Sequence, residues 1–287
     1  MVAMSTKDTK VLAIDCLDFG LVNDWGLTGF QLDHTTELTP YMWHTEYPHT
    51  AHIWPYVAMK VQPAESGKTV SWENPLIDHL STGLSFLPKR LREYVGSKLE
   101  DNGFRTEHLQ IQNYDHPHIF DSVFQWPGIR NEHLKRAWDL SQEVAYNKRD
   151  LEEAKNIVHN DAMESIDWLI STEGLTATHI HYIDFCSHIE ARNEVALKQD
   201  YKLIEGLVNT VRENVESLMI ISDHGIKAGW IDTPPVGHHS MRGYFSVTSD
   251  WPTPIPQNVK QVHDYIRLNK NPENNLNELL NDLGYLS

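Results

Sequence analysis

Two cysteines, Cys16 and Cys186, are all that 287 residues contain, which excludes a disulfide framework and a thiolate zinc cluster. Positive charge is scarce too: 24 Lys and Arg face 40 Asp and Glu, a formal net charge of −16. That sign disfavours a phosphate backbone as partner, so no dedicated nucleic-acid binding is expected. Long apolar runs are also missing. No segment approaches the ~20 apolar residues needed to cross a bilayer, and Met1 to Lys10 is polar, without a signal-peptide pattern. The expectation is a soluble, cytoplasmic protein with no membrane partner.

What is present is a globular balance, 40% hydrophobic and 22% charged, with length for a substantial core. The 17 histidines stand out, since imidazole is a metal ligand and proton carrier near neutral pH.

Val11-Leu12-Ala13-Ile14 reads as a buried strand ending in Asp15. Gly26 to about Gly83 has little helical periodicity and reads as loops and short pieces. Helix formers dominate Leu84 to Leu99, and Leu109-Gln110-Ile111 suits a further strand. Residues 131–158 are charged and helical, at an edge or in a cap. Asp161 is expected to cap a helix carrying Ile166, Leu169 and Ile170. His179 to Ile183 reads as a strand leading to Asp184. Leu197, Tyr201, Ile204, Val208, Val211 and Val215 then form a continuous helical stripe. Leu218-Met219-Ile220-Ile221 follows and runs into Ser222-Asp223-His224-Gly225.

Strand, helix, strand at this spacing is a βαβ unit. Tyr244 to Val247 adds a strand, and Leu276, Leu279, Leu280 and Leu283 a small C-terminal helix. The expected fold is a single α/β domain over 1–287, with a mostly parallel central sheet, helices on both faces, and a cap or insertion within about 85–160.

Three of these strands are expected to end in a carboxylate: Asp15, Asp184 and Asp223. Ligands of open parallel sheets bind beyond the carboxyl ends of strands. Three carboxylates there repel one another unless something positive lies between them. Asp184 is followed by His188 in a D-x-x-x-H, Asp223 by His224, and a third His-bearing element is Gly237-His238-His239-Ser240-Met241-Arg242-Gly243. Mixed oxygen and imidazole donors suit zinc, manganese or iron.

The ordered set Ile14-Asp15, Thr39-Pro40-Tyr41-Met42-Trp43, Asp184 with His188, Ser222-Asp223-His224-Gly225 and Gly237-x-His239-x-x-x-Gly243 resembles the alkaline phosphatase superfamily. Its nearest branch is that of the type I phosphodiesterases and nucleotide pyrophosphatases, and the likeness spans about residues 11–247. The resemblance implies two divalent metal ions, zinc first, on one face of the sheet. Asp184, His188 and His239 would hold one, and Asp15, Asp223, His224 and the Thr39 hydroxyl the other. It implies Thr39 as the nucleophile, with Thr45 and Thr36 as alternatives, and hydrolysis of a small phosphate ester, a diester before a monoester, through a phospho-threonine. Trp43 would flank the leaving group, and Arg242 and Lys227 would contact phosphate. Met42 stands where relatives usually carry a phosphate-holding Asn. A metal-binding or regulatory member without full turnover is the alternative. Ser66-Gly67-Lys68-Thr69 imitates a phosphate-binding loop but lacks its leading Gly, Gln62 standing there.

Overall fold

The computed structural model describes residues 9–42, 47–48, 50–59 and 131–270. The chain divides into two units, Met1–Pro63 with Asp115–Ser287, and Ala64–Tyr114. The second unit lies outside the described residues. So do the helix expected over 84–99, the strand at 109–111 and the C-terminal helix at 276–283.

A five-stranded sheet organises the first unit in the order β2-β7-β4-β1-β3. Its strands are β1 (Thr9–Ile14), β2 (His34–Leu38), β3 (Thr176–Ile180), β4 (Ser217–Ser222) and β7 (Gly243–Val247). A ribbon of two short strands, β5 (Gly225–Ile226) and β6 (His239–Ser240), lies apart from it. The helices are α1 (Phe19–Asp24), α2 (Thr50–Met59), α3 (Asn131–Ala145), α4 (Leu151–Ser171), α5 (Tyr182–Glu190), α6 (Glu194–Asn214) and α7 (Val259–Lys270). Among the described residues, no helix is long and apolar enough to cross a membrane.

β1 is buried throughout because it is central and covered on both faces. Leu12 and Ile14 join Leu218, Ile220 and Tyr244 in one core with residues of α1 and α3 to α6. Val11 and Ala13 join Met219, Ile221, Phe245 and Val247 in a second core under α2 and α7. Alternation along each strand thus feeds two cores, which is why these strands read as unbroken apolar runs.

The sheet is mixed, with β7 running against the other four strands. β1 pairs parallel with β3 and β4, as the βαβ unit requires. β7 runs antiparallel to both β4 and β2. The stretch expected as loops contains β2 and α2. Asp161 does not cap a helix: Asp150 caps α4, accepting from the Glu152 and Glu153 amides, and Asp161 lies buried in mid-helix. The described part of the expected insertion, from Asn131 on, packs into the first core through Ala137, Leu140, Ala154 and Val158.

Asp18 ties the site-bearing loops together. Fully buried, its carboxylate accepts from the Leu21 and Ile226 amides, the Ser240 hydroxyl and the Arg242 Nε. This crowding explains the glycine of Ser-Asp-His-Gly, since a Cβ at Gly225 would meet Asp18 Oδ2 at 2.1 Å.

Candidate metal centre

Asp15 continues β1 into a tight turn. The next residue, Cys16, has φ 64°, in the left-handed region that non-glycine residues rarely adopt. The Tyr201 hydroxyl of α6 holds this turn, donating to the Cys16 carbonyl at 3.0 Å while accepting from the Asp18 amide at 3.2 Å. Ser222 joins the ends of β1 and β4: its hydroxyl accepts from the Leu17 amide and donates to the His224 carbonyl, both at 2.8 Å. Asp15, Asp223 and His224 are thereby fixed beside one another, as the sequence led us to expect.

Asp184 arrives differently. β3 stops at Ile180, and Asp184 lies in the first turn of α5 rather than at a strand end. One helical turn on, His188 shares its face, with Nε2 3.2 Å from Asp184 Oδ1. His239 on β6 brings its Nε2 to 3.8 Å from the same oxygen and 3.1 Å from His188 Nε2. His188 Nδ1 lies 2.9 Å from the Gly237 carbonyl, and His239 Nδ1 2.7 Å from the Pro48 carbonyl. A carbonyl only accepts, so both Nδ1 atoms carry the proton and, in the neutral rings, both Nε2 atoms present lone pairs.

Two lone pairs and a carboxylate oxygen facing one another need a positive body between them. Tetrahedral zinc with nitrogen ligands at about 2.0–2.1 Å has ligand–ligand edges of about 3.3 Å, near the 3.1 and 3.2 Å separations and shorter than the 3.8 Å between His239 and Asp184. Without metal, a proton substitutes. Burial lowers His188, but the Asp184 charge overrides it and raises the imidazole to about 9. Burial pushes Asp184 up, and His188, His239 and His224 overcome that to hold it well below the carboxylate range.

The second pocket forms around His224. Its Nδ1 donates to the Gly225 carbonyl at 3.1 Å, so its Nε2 faces Asp15 Oδ1 at 3.3 Å and Asp223 Oδ2 at 3.5 Å. Burial, reinforced by neighbouring carboxylates, pushes Asp15 up to about 8 and Asp223 up to about 7. The two pockets abut, because the His224 and His239 rings stack at 3.7 Å. Cys16, Asp184 and His224 also converge, each offering an atom within 4.8 Å of the others. Burial, with the charges of Asp184 and Asp15, pushes the Cys16 thiol well above its usual range and keeps it a neutral wall.

All six Asp and His residues nominated as ligands therefore meet. Thr39 does not join them. It is exposed, and its backbone is engaged with Gln257 and Val259. It follows β2, three strand spacings, or about 14 Å, from β1. Thr36 lies on β2 with its hydroxyl on the Glu37 carbonyl, and Thr45 and Trp43 lie outside the described residues. The hydroxyl in the pocket belongs to Thr50, first residue of α2, 3.2 Å from Asp15 Oδ1 and 3.0 Å from His224 Nε2. A usable signal for it exists: Ile53, Trp54, Tyr56 and Val57 carry helical spacing and are buried, which makes Thr50 a helix start.

Arg242 is not available to phosphate. Its Nη atoms pair with both Asp232 oxygens at 2.7 and 2.8 Å, and its Nε reaches Asp18 at 3.0 Å. Arg242→Ala strips the charge partner from buried Asp18 and is expected to cost about 3–5 kcal/mol of stability without raising KM. Urea unfolding and steady-state kinetics check the two halves. Lys227 Nζ sits 5.3 Å from the ring centre of Tyr47, which also packs on His238.

No protein-family model matches the chain, and no curated protein sequence matches it.

Proposed function

We propose that the chain is a two-metal hydrolase of phosphate esters, of the alkaline phosphatase kind, with Thr50 rather than Thr39 as nucleophile. The observation that supports this best is the common orientation of His188, His224 and His239. Each ring donates Nδ1–H to a backbone carbonyl and turns Nε2, beside a carboxylate, into one of two adjoining pockets. Buried Asp223 turns its carboxylate toward Asp15, Thr50 and His224 with no hydrogen bond of good geometry to either oxygen, which fits a role as cation ligand.

Asp184, His188 and His239 would hold one ion, and Asp15, Asp223, His224 and Thr50 the other. Divalent zinc, manganese or iron there would balance three carboxylates, acidify the threonine hydroxyl and neutralise phosphate charge. The Thr50 oxygen, positioned by Asp15 and His224, forms the bond to phosphorus as the ester oxygen leaves. Water then cleaves the phospho-threonine and restores the hydroxyl. Thr50 also opens a helix, whose N-terminal end favours an anion.

A diester, with one negative charge, suits this chain better than a monoester dianion, because the guanidinium of Arg242 is committed to Asp18 and Asp232. The chain reconstituted with zinc or manganese should hydrolyse bis(p-nitrophenyl) phosphate faster than p-nitrophenyl phosphate, and neither after chelation. The reverse preference would make it a monoesterase. Two bound ions with no turnover on either ester would leave a metal-binding protein of the same design.

A further inference from the structure

Beyond the centre just described, β3 and α4 enclose a second group of imidazoles. A cavity of about 10 Å³ is lined by His133, Asp161, Ser165, His179 and His181, with apolar walls from Val158, Ala162 and Ile180. That is room for about one water-sized body. The polar residues around it are buried, and several of their atoms have no hydrogen-bond partner: both ring nitrogens of His179, Nε2 of His181 and Oδ2 of Asp161. Each unsatisfied buried group costs about 1–3 kcal/mol, so this concentration around one small space calls for an occupant.

We propose that this cavity is a separate cation site, taking one divalent ion of the zinc class on Asp161 Oδ2, His181 Nε2 and His179 Nδ1, the His179 Nε2 lying 3.6 Å from Asp15 Oδ2, with His133 beside it. His181 Nδ1 lies 3.1 Å from Asp15 Oδ2. Its Nδ1 is thus engaged with Asp15, and its buried Nε2, which has no hydrogen-bond partner, is the atom left for the cavity. Asp161 Oδ1 is occupied by Arg136 and lies 3.8 Å from His133 Nε2, which leaves Oδ2 for the ion. His133, Asp161 and Glu164 each place a donor atom within 4.8 Å of the others, and Glu164 is exposed, so carboxylate and imidazole lead from the surface to the cavity. Two imidazoles and a carboxylate are a donor set zinc accepts readily, whereas calcium or magnesium prefers oxygen alone.

The consequence runs through His181. An ion on its Nε2 makes Nδ1–H a stronger, fixed donor to Asp15. Asp15 presents its other oxygen, Oδ1, to His224 and Thr50. His181 is thus a positioning residue that ties the new site to the proposed reaction centre. That link rests on the two-metal reading, but the new site itself does not.

The test uses the full chain, stripped of metal and dialysed against zinc or cobalt alone, with ions per chain counted and cobalt absorption recorded. Wild type should hold three ions. His179→Gln and Asp161→Asn should each hold one fewer and lose the matching cobalt absorption. Asp184→Asn should keep that absorption while losing ions from the other centre. Uptake by His179→Gln and Asp161→Asn equal to wild type overturns the proposal. Zinc-edge anomalous diffraction from the wild-type chain decides the matter even if the variants misfold. A peak between His179 and Asp161 is expected, and a water there overturns the site. A single ion lost in Asp161→Asn, with none at Asp184, would support this site and sink the two-metal reading.

Discussion

Thr50→Ala should lower turnover of a phosphodiester by at least about a thousandfold and leave the metal content of the two-metal centre unchanged. The proposed nucleophile is lost, and with it the weakest of the four proposed ligands of one ion, while Asp15, Asp223 and His224 remain to hold it. Thr39→Ala should behave as wild type, because Thr39 is exposed and its backbone is tied to residues 257–259. Thr50→Ser should recover part of the rate by returning a hydroxyl to the same place. Stopped chemistry with trapped diester substrate, analysed by mass, would find the phosphoryl group, still carrying the second ester group, on the peptide containing Thr50. A full-rate Thr50→Ala enzyme, or label on Thr39, would refute the assignment.

The second large effect is on stability. Without metal, Asp15 and Asp223 are raised to about 8 and 7, and His188 to about 9. Each native group keeps a proton that the unfolded chain has released, so native protein binds more protons from about pH 4, where Asp15 and Asp223 ionise in the unfolded chain, to about pH 9, where native His188 lets go. Stability from these groups is therefore present at the acid end of that window and is lost as pH rises. His239 is shifted down, chiefly by burial with His224 and His188 adding, and its contribution is lost only below about pH 6.5. Metal replaces those protons and binds more tightly as pH rises.

Two ions at free concentrations about 100-fold above Kd contribute about 5 kcal/mol, or about 10–20 °C in melting temperature for a chain of this size. Chelation at pH 8 should lower the melting temperature by about that amount, and at pH 6 by less. Differential scanning calorimetry with and without zinc measures both. Equal melting curves before and after chelation at pH 8 would contradict the metal assignment.

Much of this site was legible because its ligands sit in short contiguous motifs. Ser222-Asp223-His224-Gly225 follows an unmistakable apolar run, and Gly225 has a steric reason to be there. The stripe expected from Leu197 to Val215 was equally plain, its period set by one buried face, though α6 ends at Asn214 and Val215 is its extended cap. Asp184 was placed at a strand end because a buried apolar run of a few residues fits strand and helix alike. β3 stops at Ile180, and the next turns are helical. The orientation of β7 was not legible either, since a five-residue strand covered on both faces carries the same residues whichever way it runs.

Thr50 escaped notice for a related reason. Pro55 and the surrounding histidines mask the helical spacing of α2, and Thr39-Pro40 offered a more familiar pattern. His179 and His181 read as ordinary strand positions. Their buried partners are Asp15, in the turn after β1, and the cavity they share with Asp161 of α4, which only the tertiary fold brings to them.

The bond from His239 Nδ1 to the Pro48 carbonyl has a mechanical result. The ring whose other nitrogen would grip an ion is also a latch on the segment just ahead of Thr50. Swinging that ring away from its pocket would loosen the hold on the chain that leads to the Thr50 hydroxyl. In the proposed centre, the placement of an ion and the placement of the chain leading into α2 would therefore share one side chain.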